Sequence, residues 1–175
     1  MKKAILFLVL TALFSCMENA NNGNTKEGLN IPKEKECIAA MLDSLNMAAA
    51  SADYNGYFKF YADSAVFIGT DAKEYWRKDA FMKWAKPHFD RGKAWSFKAI
   101  KRNIYFGPNS DIAWFDELLS TQMKICRGSG VVVKQNNEWK VQQYVLSMTI
   151  PNEKSKDIID IKAPVEDSLM IILQK

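Results

Sequence analysis

From residue 95 to residue 150 the chain alternates apolar and polar side chains and interrupts the alternation only at tight breaks. The densest part starts at Ala113-Trp114-Phe115-Asp116-Glu117 and passes through Arg127-Gly128-Ser129-Gly130-Val131-Val132-Val133. It closes with Trp139-Lys140-Val141-Gln142-Gln143-Tyr144-Val145-Leu146-Ser147 and Ile150-Pro151-Asn152-Glu153. Period-two alternation marks a strand with one buried face. A break as short as Asn136-Asn137 joins antiparallel neighbours as a hairpin. The spacing predicts strands over 95–106, 111–124, 125–135 and 138–150. Gly107-Pro108-Asn109-Ser110 is the expected first turn and Pro151 the stop. A plain sheet needs only Val, Ile and Thr. Here aromatic, acidic, basic and glycine residues share the strands, which suits a curved sheet lining a pocket.

Upstream the period is helical. Ile38, Met41, Leu42, Leu45 and Ala49 recur at three- and four-residue steps, predicting a helix over 33–53. A short second helix starts at Asp53 and turns Tyr54, Tyr57, Phe58 and Tyr61 toward the core, with Ala62-Asp63-Ser64 as its break. A strand over 65–69 follows. Asp71 and Glu74 stand as in a capping box, and a short turn carries Tyr75 and Trp76. Asp79 caps a further helix holding Phe81, Met82, Trp84, Ala85 and Phe89, strained by Pro87 and stopped by Gly92. Helices first and antiparallel strands last argue an α+β layer fold. In the tail, Ile158, Ile159 and Ile161 suit one helical turn capping the sheet, and Pro164 interrupts. Residues 169–173 would add an edge strand or cover a partner subunit.

The first 16 residues read as an export address. Lys2 and Lys3 are basic, and the apolar run that follows is short of the about 20 residues a spanning helix needs. Leu13-Phe14-Ser15-Cys16 has the form of a lipobox, predicting cleavage before Cys16 and a lipid on its sulfur. An ordinary secretory signal with a chance cysteine, or an uncleaved anchor, are the alternatives. The expected organisation is a signal peptide over 1–15, a disordered tether over 16–33, a folded domain over 34–153 and an extension over 154–175. The expected location is the bacterial cell envelope, lipid-anchored, periplasmic or surface-facing.

The formal charge is +4, falling to +2 once Lys2 and Lys3 leave with the signal. The remaining charges are mixed with no basic stripe, which argues against nucleic acid as a partner. Past Cys16, the cysteines are Cys37 and Cys126, and His88 is the sole histidine. They offer no metal-ligand spacing, so no metal and no cofactor is expected. The two cysteines either bridge, as an exported protein permits, or are two small buried side chains.

The order of helices, short strand, helix and long meander resembles the NTF2-like superfamily, most closely its SnoaL-like branch. The resemblance rests on Phe67-Ile68-Gly69-Thr70, Glu74 with Trp76, Trp114-Phe115-Asp116-Glu117, Arg127-Gly128-Ser129-Gly130, and Trp139 to Ser147 followed by Pro151-Asn152-Glu153. It implies a cone in which a bent sheet wraps a long helix, with an apolar pocket at the open end. It also implies dimerisation through the sheet. Relatives include isomerases, cyclases, dehydratases and binding subunits, so the fold alone does not fix function. Relatives often carry histidine at the place matched by Gln143 and asparagine where Val145 stands. Gln143 donates and accepts hydrogen bonds but cannot shuttle a proton as a histidine does.

Asp116 and Glu117 are strand neighbours and point to opposite faces, so they cannot form a paired-carboxylate site. One looks into the pocket, and Asp116, on a face with Trp114, is the preferred one. A carboxylate among aromatics suits a general base. Arg127 either binds an anionic ligand through its planar fork or holds one of those acids in a salt bridge. Gln143 is the third candidate anchor. Trp76, Trp114 and Tyr144 are the candidate walls, and Tyr57 is a further candidate at the mouth. His88 is expected to serve a helix end.

The leading expectation is an exported, tethered domain binding a small, largely apolar molecule. The second is an isomerase- or cyclase-type enzyme using Asp116 or Glu117, with a tyrosine or Gln143 at the developing oxyanion. The third is a cell-envelope interaction protein using its outer sheet face and apolar tail.

Overall fold

The computed structural model describes residues 30–107 and 111–174. The export signal, Cys16, nearly all of the tether and the turn at 108–110 lie outside the described residues.

Helix α1 (Ile31–Ala50) starts where Asn30 accepts a hydrogen bond from the Lys33 amide and Pro32 occupies the first turn, a place where its missing N–H costs nothing. It buries Ile38, Met41, Leu42, Leu45 and Ala49, the expected stripe. Asp53 caps the short α2 (Tyr54–Phe58) by accepting from the Gly56 amide at 2.8 Å. Strand β1 (Tyr61–Ile68) begins earlier than its alternation suggests. Tyr61 and Ala62 are buried, Asp63 and Ser64 are exposed, and the register against the last strand shifts between Tyr61 and Val66. The expected break at Ala62-Asp63-Ser64 is therefore an irregular piece of strand. The turn around Tyr75 and Trp76 is also a strand, β2 (Tyr75–Arg77). Helix α3 (Lys78–Asp90) follows, and Arg77 at its start makes no side-chain cap.

The meander comprises β3 (Lys98–Phe106), β4 (Ile112–Thr121), β5 (Lys124–Gln135) and β6 (Glu138–Met148). Asn136 and Asn137 both adopt positive φ, 50° and 63°, as the expected two-residue hairpin requires. The sheet order is β2-β1-β6-β5-β4-β3, antiparallel throughout except for β1 against β6. The architecture is α+β, as the change of period predicts. One side of the sheet packs on α1 and α3. Its inward residues include Phe115, Leu119, Cys126, Val132, Trp139, Val141, Tyr144 and Leu146.

Two irregularities bend the sheet and reset its faces. One adds a residue to β3 between Ala99 and Lys101. The other lies in β6, where Val132 pairs with Val141 but Val131 pairs with Gln143. Gln142 is the extra residue. Before it, Trp139 and Val141 face inward; after it, Tyr144 and Leu146 do.

The tail differs from expectation. It forms one helix, α4 (Ser155–Leu173), that runs through Pro164 and buries none of its residues. Proline removes one backbone bond there. The Lys156–Asp160 and Lys162–Glu166 pairs bracket the gap on either side. Neither the cap on the sheet nor the edge strand forms.

Candidate functional site: an aromatic pocket and the ion pair behind it

Between β1, β2, α3 and the turn after β4 lies a cavity of about 170 Å³. Its walls are Phe67, Trp76, Phe81, Trp84, Trp95 and Phe97, completed by Met123 and Leu146. Several of these rings lie nearly parallel. Phe67 stacks on Phe81 at 4.2 Å and 9°, Trp76 on Trp84 at 4.7 Å and 26°, and Trp95 lies 20° from Phe81. The polar groups on its lining are Thr70, Glu74 and Gln122. An apolar cavity of roughly 150 Å³ accepts a single aromatic ring, so the space here suits a small flat molecule.

Glu74 owes its place to the turn between β1 and β2. Gly69 bonds through its amide to the Glu74 carbonyl at 2.9 Å, and the Asp71 amide donates to Glu74 Oε2 at 3.2 Å. The expected Asp71–Glu74 reciprocity thus closes a strand turn and not a helix.

Phe67 also stacks on Tyr144, 5.9 Å away, which connects the pocket wall to a buried polar group. The Tyr144 hydroxyl donates to Glu117 Oε1 at 2.8 Å, and Arg102 Nε donates to Oε2 at 2.7 Å. Arg102 Nη2 also sits 2.7 Å from Oε2, but its N–H is not aligned, so that contact is ionic. Arg102 Nη1 donates to the Ala39 carbonyl of α1 and pairs with Asp43 at 3.0 Å. Glu117 is 1% exposed. Burial works against the Arg102 charge, but the Glu117 and Asp43 carboxylates outweigh it and hold the guanidinium above its ordinary value. Burial raises the Tyr144 hydroxyl well above its usual value, and the Glu117 charge adds to the rise. Both Glu117 oxygens are occupied by donors. Chemically this is a strut tying α1, β3, β4 and β6 together. Gly128 makes room for it, because a Cβ there would lie 2.3 Å from the Tyr144 oxygen.

The residues expected to gather in one site are split between two faces. Trp76 lines the cavity. Tyr144 is buried and supports its wall through Phe67. Tyr57 does not reach the mouth; it is buried, and its hydroxyl lies 2.8 Å from that of Tyr61. Trp114, Asp116, Arg127 and Gln143 are on the opposite face of the sheet. There Trp114 stacks on Tyr105, and Asn103 donates to Asp116 at 3.1 Å. Arg127 lies 3.8 Å from Asp116, the salt-bridge alternative, with Arg127 exposed and Asp116 partly so. The inward acid is therefore Glu117 and not the preferred Asp116, because the register sets Glu117 against Arg102 and Gly128. Gln143 gives way to Tyr144 because the bulge at Gln142 inverts the strand. His88 packs on Trp84 with Nδ1 2.9 Å from Arg91 Nη2. Cys37 is exposed, Cys126 is buried, and both are free. Among the described residues no group of three or more potential ligands could hold a metal ion.

Sequence reasoning missed Arg102 and most of the cavity wall. Arg102 shares its alternation with Ile104 and Phe106, and that was a signal for an inward charge. Trp84 fits a core stripe and Trp95 a strand start, so neither stood out. Gln122 and Met123 sit at a turn that two abutting strand runs concealed.

A family model described as a SnoaL-like domain matches residues 38–151. Among curated proteins nothing matches significantly. Several solved structures share the fold. An NTF2-like protein of unknown function from Pseudomonas putida has TM-score 0.59 at 17% identity, covering 73% of this chain and 94% of that one. A protein named as a candidate scytalone dehydratase from Novosphingobium aromaticivorans has TM-score 0.57 at 15% identity, covering 69% and 87%. The association domain of CaMKII from C. elegans has TM-score 0.56 at 15% identity, covering 67% and 97%. Identities this low speak for the fold. With the family model matching most of the folded part, this chain belongs to the SnoaL-like domains of the NTF2-like superfamily.

Proposed function

We propose that the domain binds a small, flat, largely apolar molecule in the cavity between Trp76, Trp84 and Trp95. The observation that carries this reading is the set of near-parallel rings around a space of about 170 Å³, sized for one aromatic ring. Binding is favoured over proton transfer by either expected acid because Asp116 lies on the other face and Glu117 has both oxygens engaged. The test is a titration of tryptophan fluorescence with toluene and benzene. Trp84→Ala removes a wall residue that is 41% exposed, so it should weaken binding severalfold with little loss of stability. Unchanged fluorescence with every planar probe would sink this reading. The export and tethering expectations belong to the same proposal: a lipid on Cys16 would hold the pocket at a membrane surface. Cys16→Ser should then release the protein from the membrane fraction.

A second reading, an association module, is favoured by a separate observation. The outer sheet face exposes Tyr105, Ile112 and Trp114, and α4 exposes Ile159, Ile161, Val165 and Met170 to Leu173. A solved relative in fold is an association domain by name. Deleting residues 155–175 should lower the mass seen by light scattering if α4 holds copies or partners together.

A further inference from the structure

We infer that the pocket selects an aromatic amine, with the ring against the aromatic wall and the ammonium group at Glu74; this rests on the binding reading above. Three observations support it. Glu74 is the one ionisable side chain among the residues lining the cavity, so the site as a whole carries a negative charge and no counter-charge. Its carboxylate is oriented by the β1–β2 turn. Gly69 leaves the space it fills, since a Cβ on Gly69 would come 2.1 Å from Oε2. Its one hydrogen bond within the described residues is from the Asp71 amide to Oε2, which leaves Oε1 without a donor. A half-buried carboxylate with a spare oxygen beside an apolar slot favours a cationic donor, through a charge-assisted hydrogen bond. Thr70 and Gln122 on the same lining can accept the remaining ammonium hydrogens. An anionic ligand would meet Glu74 with no cation to offset it.

The test compares benzylamine, toluene and phenylacetate against the purified protein at neutral pH, read by tryptophan fluorescence. Benzylamine should bind about tenfold more tightly than toluene, the size expected of one hydrogen bond to a charged group, and the difference should shrink with added salt. Phenylacetate should bind least. Glu74→Gln should bring benzylamine to the level of toluene while leaving toluene unchanged. Gly69→Ala displaces the carboxylate but keeps its charge, and should have the same selective effect. Toluene binding as well as benzylamine, or an undiminished preference in Glu74→Gln, would overturn the amine inference and leave the pocket reading standing. Failure of all three probes would overturn both.

Discussion

Arg102→Met is the most searching perturbation of this fold. The guanidinium makes two contacts of 2.7 Å to Glu117, one hydrogen bond to the Ala39 carbonyl and an ion pair with Asp43. Asp43 is largely solvated, and Ala39 sits within α1, whose own ladder can serve its carbonyl. Glu117 is the group that suffers, since at 1% exposure it would keep only the Tyr144 hydroxyl as a donor. Stranding one partner of a buried pair costs about 3–5 kcal/mol. For a folded region of this size that lowers Tm by about 10–20 °C. Replacing the pair together, as Arg102→Met with Glu117→Met, removes the stranded charge and should recover at least half of the loss, most fully when Tyr144→Phe is added. Urea unfolding followed by circular dichroism gives the whole cycle. A loss below about 1 kcal/mol for the single variant would refute the strut. A double variant no more stable than the single one would refute it equally.

Three further outcomes follow from the same geometry. Asp116→Asn changes a partly exposed group on the far face. It should shift stability by less than about 0.5 kcal/mol and leave pocket affinity untouched in the fluorescence titration; a large loss of binding would return Asp116 to the site. Gly128→Ala places a Cβ 2.3 Å from the Tyr144 oxygen and 3.0 Å from Glu117 Cγ, so urea unfolding should show a loss of about 1–3 kcal/mol, smaller in a Tyr144→Phe background. Glu34 accepts from Lys134 Nζ and Trp139 Nε1, both at 2.6 Å, and the Lys134 bond first, with Trp139 after it, holds its carboxyl below the ordinary value of 4.5. Its contribution is complete above that value and fades as pH falls through the lowered folded one, so Tm should decline on acidification and Glu34→Gln should decline less steeply.

Much of the fold was legible because local chemistry and the sheet agree. Asn136-Asn137 carries its hairpin in its backbone preference, Asp53 its cap, and Ile38 to Ala49 their buried stripe. Legibility failed where a partner far along the chain decides. Alternation says that Asp116 and Glu117 face opposite ways, but which of them faces in depends on Arg102 across the strand pair. The run from Tyr61 to Ser64 breaks alternation because only Tyr61 in it is paired with the parallel partner β6, and the pairing resumes at Val66. The pocket was the least legible part. Its wall draws on β1, β2, α3 and the β4–β5 turn, and each of its tryptophans has an ordinary local explanation.

The bulge in β6 makes residue 142 a hinge of identity. A one-codon deletion there would leave the composition almost untouched and the strand about as long. It would close the bulge and leave every facing as it is, because Val141 and Gln143 already pair with the consecutive residues Val132 and Val131, so Tyr144 and Leu146 stay inside. Glu117 would keep its hydroxyl donor and the cavity its Leu146 wall. Two chains of this kind that differ by one residue at that point present the same inner and outer surfaces beyond it, although counting letters in strict alternation would assign them opposite ones. Likeness between them in the last strand is therefore to be judged by which way a side chain faces before which letter it carries.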